Sequence, residues 1–68
     1  MIAQEVSIPY DERDPEIHSW CRTHIGSPAR HSIHVGELYP WYPSERFGYT
    51  VYMFARERDA VMFILKWL

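Results

Sequence analysis

Four residues could hold a metal. Cys21, His24, His31 and His34 stand in the spacing C-x2-H-x6-H-x2-H. Zinc takes four nitrogen or sulfur ligands in a tetrahedron, and this set offers them. Cys21 and His24 would lie one turn apart on a helix. His31 and His34 fit less well, because in an extended chain this spacing turns them to opposite faces. The pattern also matches no standard zinc module. The ordinary alternative is a core cysteine, a helix-terminal histidine and two loop histidines. A zinc module is thus one alternative function, and no cofactor is expected.

Other reactive groupings are weaker. A nucleophilic cysteine needs a positioned base and an environment that lowers its pKa. Cys21 falls on the apolar face of a helix, away from the helix N-terminus. No G-x-S-x-G elbow is present. Asp11-Glu12 and Asp14-Glu16 pair acids, but around a turn and a helix start, where solvation accounts for them. No motif specifies a reaction, so a non-enzymatic protein is expected.

The aromatic set carries more. Tyr39, Trp41, Tyr42, Phe47, Tyr49, Tyr52 and Phe54 fall within sixteen residues, flanked by Arg46, Arg56 and Arg58. Tyr, Trp and Arg are the residues enriched at binding hot spots. This predicts a protein-binding surface of Tyr39, Trp41, Tyr42, Tyr52, Phe54 and Arg56. Aromatics and Arg on a sheet face could instead stack single-stranded nucleic acid. The net charge of −2 and an acidic first sixteen residues weigh against that.

These residues need elements to position them. Ile2 to Ile8 alternates, which predicts a strand ended by Pro9. Asp14-Pro15-Glu16 is a helix start, with Asp as the cap. Ile17, Trp20, Cys21 and His24 follow at helical spacing, and Gly26 is placed to stop the helix. His18, Ser19, Arg22 and Thr23 are expected to face water. Ile33 to Tyr42 reads as a ragged second strand, with Ser44-Glu45-Arg46 as the connection onward. Gly48 to Phe54 reads as a third strand, apolar on both faces and so covered on both sides. Arg56 to Asp59 is a charged turn. Ala60 to Leu68 is an apolar helix, with Ala60, Phe63, Ile64 and Trp67 on one stripe and Val61, Ile64, Leu65 and Leu68 on a second. It is too short to span a bilayer.

The expected fold is α+β: a small β-α-β-β-α domain, its three-stranded sheet mostly antiparallel, with two helices on one face. The expected core is Val6, Ile8, Ile17, Trp20, Cys21, Val51, Met53, Ala60, Phe63, Ile64 and Trp67. Sixty-eight residues make a single domain, 1–68, with a core that is marginal alone. Yet 47% of the residues are hydrophobic and 16% aromatic. That excess predicts apolar surface for a protein partner or a second copy, and a homodimer is expected. One cysteine excludes an intrachain disulfide, and no secretory leader is evident. A cytoplasmic setting is the natural reading, and no membrane partner is expected.

The last third also bears a resemblance. Trp20-Cys21 in the first helix, Tyr52-Met53-Phe54, and Asp59-Ala60 through Phe63, Leu65 and Trp67 form the pattern. It resembles small proteins of tailed bacteriophages that end F-x-F … D-A-x-x-F-x-L-x-W, with Tyr here for the first Phe. The resemblance implies a packing motif: Ala60 small against the sheet, Phe63 and Trp67 as anchors. It further implies a phage accessory protein, an inhibitor or adaptor that binds a host or phage component in the host cytoplasm. No catalytic residue is carried over from it.

Overall fold

A computed structural model describes residues 4–9 and 13–68 of the chain. The elements are β1 (Gln4–Pro9), α1 (Asp14–His24), β2 (Trp41–Arg46), β3 (Tyr49–Phe54) and α2 (Glu57–Trp67). A short 3-10 turn, Ser32–His34, lies in the connection from α1 to β2. The order is β-α-β-β-α, and the sheet runs β1-β3-β2 with both pairings antiparallel. The expectation for residues 2 and 3 of the first strand lies outside the described residues.

β3 is the central strand, and Thr50 to Phe54 are all buried. Register sets which residues share a face. Val6 pairs with Tyr52, and Ile8 with Thr50; Trp41 pairs with Phe54. These form the inner face. The core cluster joins Val6, Ile8, Trp41, Tyr52 and Phe54 to Ile17 and Cys21 of α1 and Ala60 and Phe63 of α2. Both helices therefore cover the same face of the sheet.

Here the expected core needs a correction. Tyr52 and Phe54 point at the helices, while Val51 and Met53 point at the opposite face. All four are buried. A strand apolar on both sides gives periodicity no preference between faces. The choice came from β1, whose alternation is unambiguous and whose Val6 lies beside Tyr52.

The second strand also moves. It begins at Trp41 and runs through Pro43 to Arg46, so Ser44-Glu45-Arg46 is strand and not connection. Ile33 and Leu38, which suggested an earlier start, are exposed. Pro43 is tolerated because β2 is an edge strand, where a missing N–H costs no ladder bond. Only Phe47 and Gly48 remain for the turn. Gly48 has φ +83°, the left-handed value that glycine reaches without strain.

α1 starts one residue before the expected site. Arg13 is the N-cap, with no side-chain capping bond. Asp14 is already helical, and its Oδ2 accepts from Thr50 Oγ1 at 3.4 Å. At the other end Gly26 has φ +140°. A Cβ there would lie 3.3 Å from Pro40 Cγ. The Gly26 carbonyl accepts from Trp41 Nε1 at 2.6 Å. The helix stop and the start of β2 are thus tied together.

α2 begins at Glu57, three residues before the expected start. Asp59 is buried there, and its carboxylate accepts from Arg56 Nε at 2.7 Å. Ala60 and Phe63 are fully buried, with Ile64 and Trp67 packed against the cluster. The packing implied by the C-terminal resemblance is present at Ala60 and Phe63. The rest of the helix departs from expectation. So apolar a helix should be buried on most sides, yet Val61, Met62, Leu65 and Leu68 are exposed.

Candidate functional site

The six residues predicted to bind a partner do not share a surface. Trp41, Tyr52 and Phe54 are fully buried. Trp41 and Tyr52 stack with centroids 6.3 Å apart, and Phe63 lies 4.8 Å from Tyr52 and 5.1 Å from Phe54. These three rings are the core, and that assignment as interface is corrected. The reason is the parity of β3 and the two helices that close its inner face. The same closure removes the inner sheet face as a platform on which a single strand of nucleic acid could stack. Tyr42 is half-buried and points to the outer face, where the His31 ring stacks on it at 6.3 Å. Tyr39 is exposed in the loop before β2. Arg56 is held against Asp59 rather than free to fix a partner's register.

The metal candidates are scattered as well. Cys21 is fully buried, and burial pushes its thiol up to about 12. His24 packs on Trp20 at 4.9 Å. The Nδ1 of His31 accepts from the Ile33 N–H at 3.3 Å. His34 sits exposed at the end of the 3-10 turn. Among the described residues no three His, Cys, Asp or Glu side chains come together to hold a metal ion.

The structure places one polar cluster that sequence reasoning missed. Asp14 Oδ1, His18 Nε2 and Tyr52 Oη are buried without hydrogen-bond partners. His18 was expected to face water. Instead its ring meets Trp41 and Tyr52 edge-on, each at 5.7 Å. The missed signal is the i, i+4 spacing of Asp14 and His18, which puts both on the side of α1 that carries Cys21. Burial lowers the His18 pKa and Arg22 adds to this, against opposing effects of Asp14 and Glu45. Burial raises the Tyr52 pKa, and the charges of Asp14, Cys21 and Glu45 raise it further. In both groups burial favours the neutral form.

This cluster predicts an acid-sensitive fold. A histidine with a lowered folded pKa favours the native state in its neutral form. Its contribution is complete above the ordinary value of 6.5 and is lost as pH falls below it. Urea midpoints should therefore drop from pH 7.5 to pH 5.5. The drop should be smaller in His18→Gln. An equal drop in both chains would mean that His18 is not the group responsible.

Exposed apolar residues form the remaining candidate. Ile33, Leu38 and Tyr39 lie in the loop, and Phe47 and Tyr49 at the hairpin tip. A shallow groove of about 380 Å³ near that tip is lined by Ser7, Pro9, Gly48 and Tyr49. A further exposed apolar set lies on α2 and its C-cap: Val61 at 46%, Met62 at 37%, Leu65 at 81% and Leu68 at 70% exposure. Helical spacing gathers Val61, Leu65 and Leu68 on one side. Compared with family models, curated proteins and solved structures, the chain finds no match.

Proposed function

We propose that this chain is a small, non-enzymatic protein-interaction module whose contact element is the outward side of α2. The observation that carries this is the exposed Val61, Leu65 and Leu68 on a helix whose other side is core. Such a helix is held rigid by its buried half, so its open half is presented at little entropic cost. Its fitting occupant is another apolar protein face. Net charge is −2, which offers no general attraction to nucleic acid or anionic lipid. Among the described residues no helix is long and apolar enough to cross a membrane. The likeness of the C-terminal third to tailed-phage proteins supports an accessory role exerted by binding.

The test is sedimentation of the fluorescently labelled chain in buffer and in bacterial extract. The wild type should sediment above its monomer mass in at least one of them. Val61→Ser/Leu65→Ser should return it to monomer in both, with an unchanged urea midpoint. A wild type that is monomeric in buffer and in extract would overturn the reading.

A further inference from the structure

Two unpartnered features lie on the same side of the molecule. The first is a sheet edge. β1 pairs only with β3 among the described residues, so its outer edge is open. The other edge is closed: β2 carries Pro43 mid-strand, and at its start Pro28 bridges Trp41 while Ala29 N–H donates to Trp41 C=O at 2.7 Å.

The prolines show which groups of β1 are free. Pro9 lies opposite Tyr49, and Pro43 opposite Tyr52. Proline has no N–H to give, so both sit where the backbone turns away from β3. The two agree: residues 50, 52 and 54 of β3 address β1, and 49, 51 and 53 address β2. By alternation Glu5 and Ser7 turn their N–H and C=O groups outward. A row of that kind is a template for another strand.

The second feature is the open side of α2. α1 covers β3 and β2, since His18 meets Tyr52 and Trp41. α2 packs over β1 and β3. Trp20 of α1 meets Phe63 and Trp67 at 6.2 and 6.3 Å, and His24 borders a groove with Asp59 and Met62. Those residues mark the flank of α2 toward α1. Helical spacing puts Val61, Ile64 and Leu68 on the opposite flank, above the β1 edge, with Leu65 on its shoulder.

We propose that a second copy of this chain covers both features at once, β1 against β1 and α2 against α2 about one two-fold axis. This inference rests on the interaction-module reading and names its partner. The two three-stranded sheets join into one of six strands. Centred on Val6, the outward groups of Glu5 and Ser7 exchange bonds with those of the second copy's Ser7 and Glu5. The two Glu5 side chains are then not directly opposed, which avoids a like-charge pair.

α2 packs over β1 and β3, beside the open edge, so pairing of β1 with β1 brings the two α2 flanks toward each other. An α2 pair alone would fall short of the roughly 800 Å² per partner that a standard interface buries. Strand edge and helix flank together supply two layers along the roughly 20 Å of β1.

The test combines native mass spectrometry with hydrogen exchange of the full chain across a dilution series. The wild type should show a two-chain mass at high concentration, with the Glu5 and Ser7 amides protected. Dilution should return the single-chain mass and release both amides. Ser7→Pro removes an outward donor, and Leu68→Glu puts a charge on the helix flank. Each should weaken the dimer by at least roughly tenfold, with the urea midpoint of the single chain retained. If Ser7→Pro does not fold, Leu68→Glu decides alone, its side chain being 70% exposed. A wild type monomeric throughout overturns the proposal. So does a dimer that Leu68→Glu leaves intact, or one in which Glu5 and Ser7 exchange freely. A chain monomeric in buffer but larger in extract overturns the second copy while the module reading stands.

Discussion

Trp41→Ala is expected to unfold the domain or leave it close to unfolding. The indole is fully buried in the core cluster, stacked on Tyr52 and in edge contact with His18. Truncating a buried aromatic to alanine costs about 3–5 kcal/mol. The change also removes the 2.6 Å bond from Trp41 Nε1 to the Gly26 carbonyl. An acceptor left without its donor in a partly buried place adds about 1 kcal/mol or more. A domain of this size has roughly 3–10 kcal/mol in total. The substitution therefore removes most of the stability. Far-UV circular dichroism at 25 °C should show lost or much-weakened cooperative melting. A Trp41→Ala protein that melts like the wild type would place the indole at the surface and undo the core described above. The distinction matters for function, because Trp41 is one of the residues that the sequence marks as partner-binding. Loss of binding in that variant would report loss of fold and nothing about an interface.

Phe63→Ala and Leu65→Ala are expected to differ sharply, although they lie two residues apart. Phe63 is fully buried among Tyr52, Phe54 and Trp20. Its loss should cost about 3–5 kcal/mol. Leu65 is 81% exposed, and a surface substitution of this kind stays within about 0.5 kcal/mol. Urea unfolding, followed by tryptophan fluorescence at a concentration low enough for single chains, measures both. Equal effects would mean that α2 is rotated about its axis from the orientation described. At high concentration the comparison carries more. If two α2 helices meet across the β1 edge, Leu65→Ala loses stability only where dimers form. Phe63→Ala loses it at every concentration.

The elements of this fold were largely legible in the chain. β1 alternates, and Val6 and Ile8 are buried as its pattern requires. Asp14-Pro15-Glu16 and Gly26 bracket α1 to within a residue. The second strand lies later than its sequence pattern suggests, because Ile33 and Leu38 imitate a strand while Pro43 argues against one where it occurs. Proline is barred from the centre of a sheet but not from its edge, and edge or centre is a property of the assembled sheet.

By itself, then, the sequence determined the order β-α-β-β-α and one stripe of α1 as core. It also determined that the chain holds more apolar surface than a core of this size consumes. Tertiary structure decided which side of β3 faces the helices, because both its sides are apolar and only pairing with β1 chooses between them. It decided that Trp41, Tyr52 and Phe54 are core and not interface. It brought Asp14 and His18 against Tyr52, thirty-four residues further along the chain from His18. It left Val61, Leu65 and Leu68 of α2 to the outside. A helix apolar all round carries no mark of its inner side. That side is chosen by what it packs against, here Tyr52, Phe54 and Trp20.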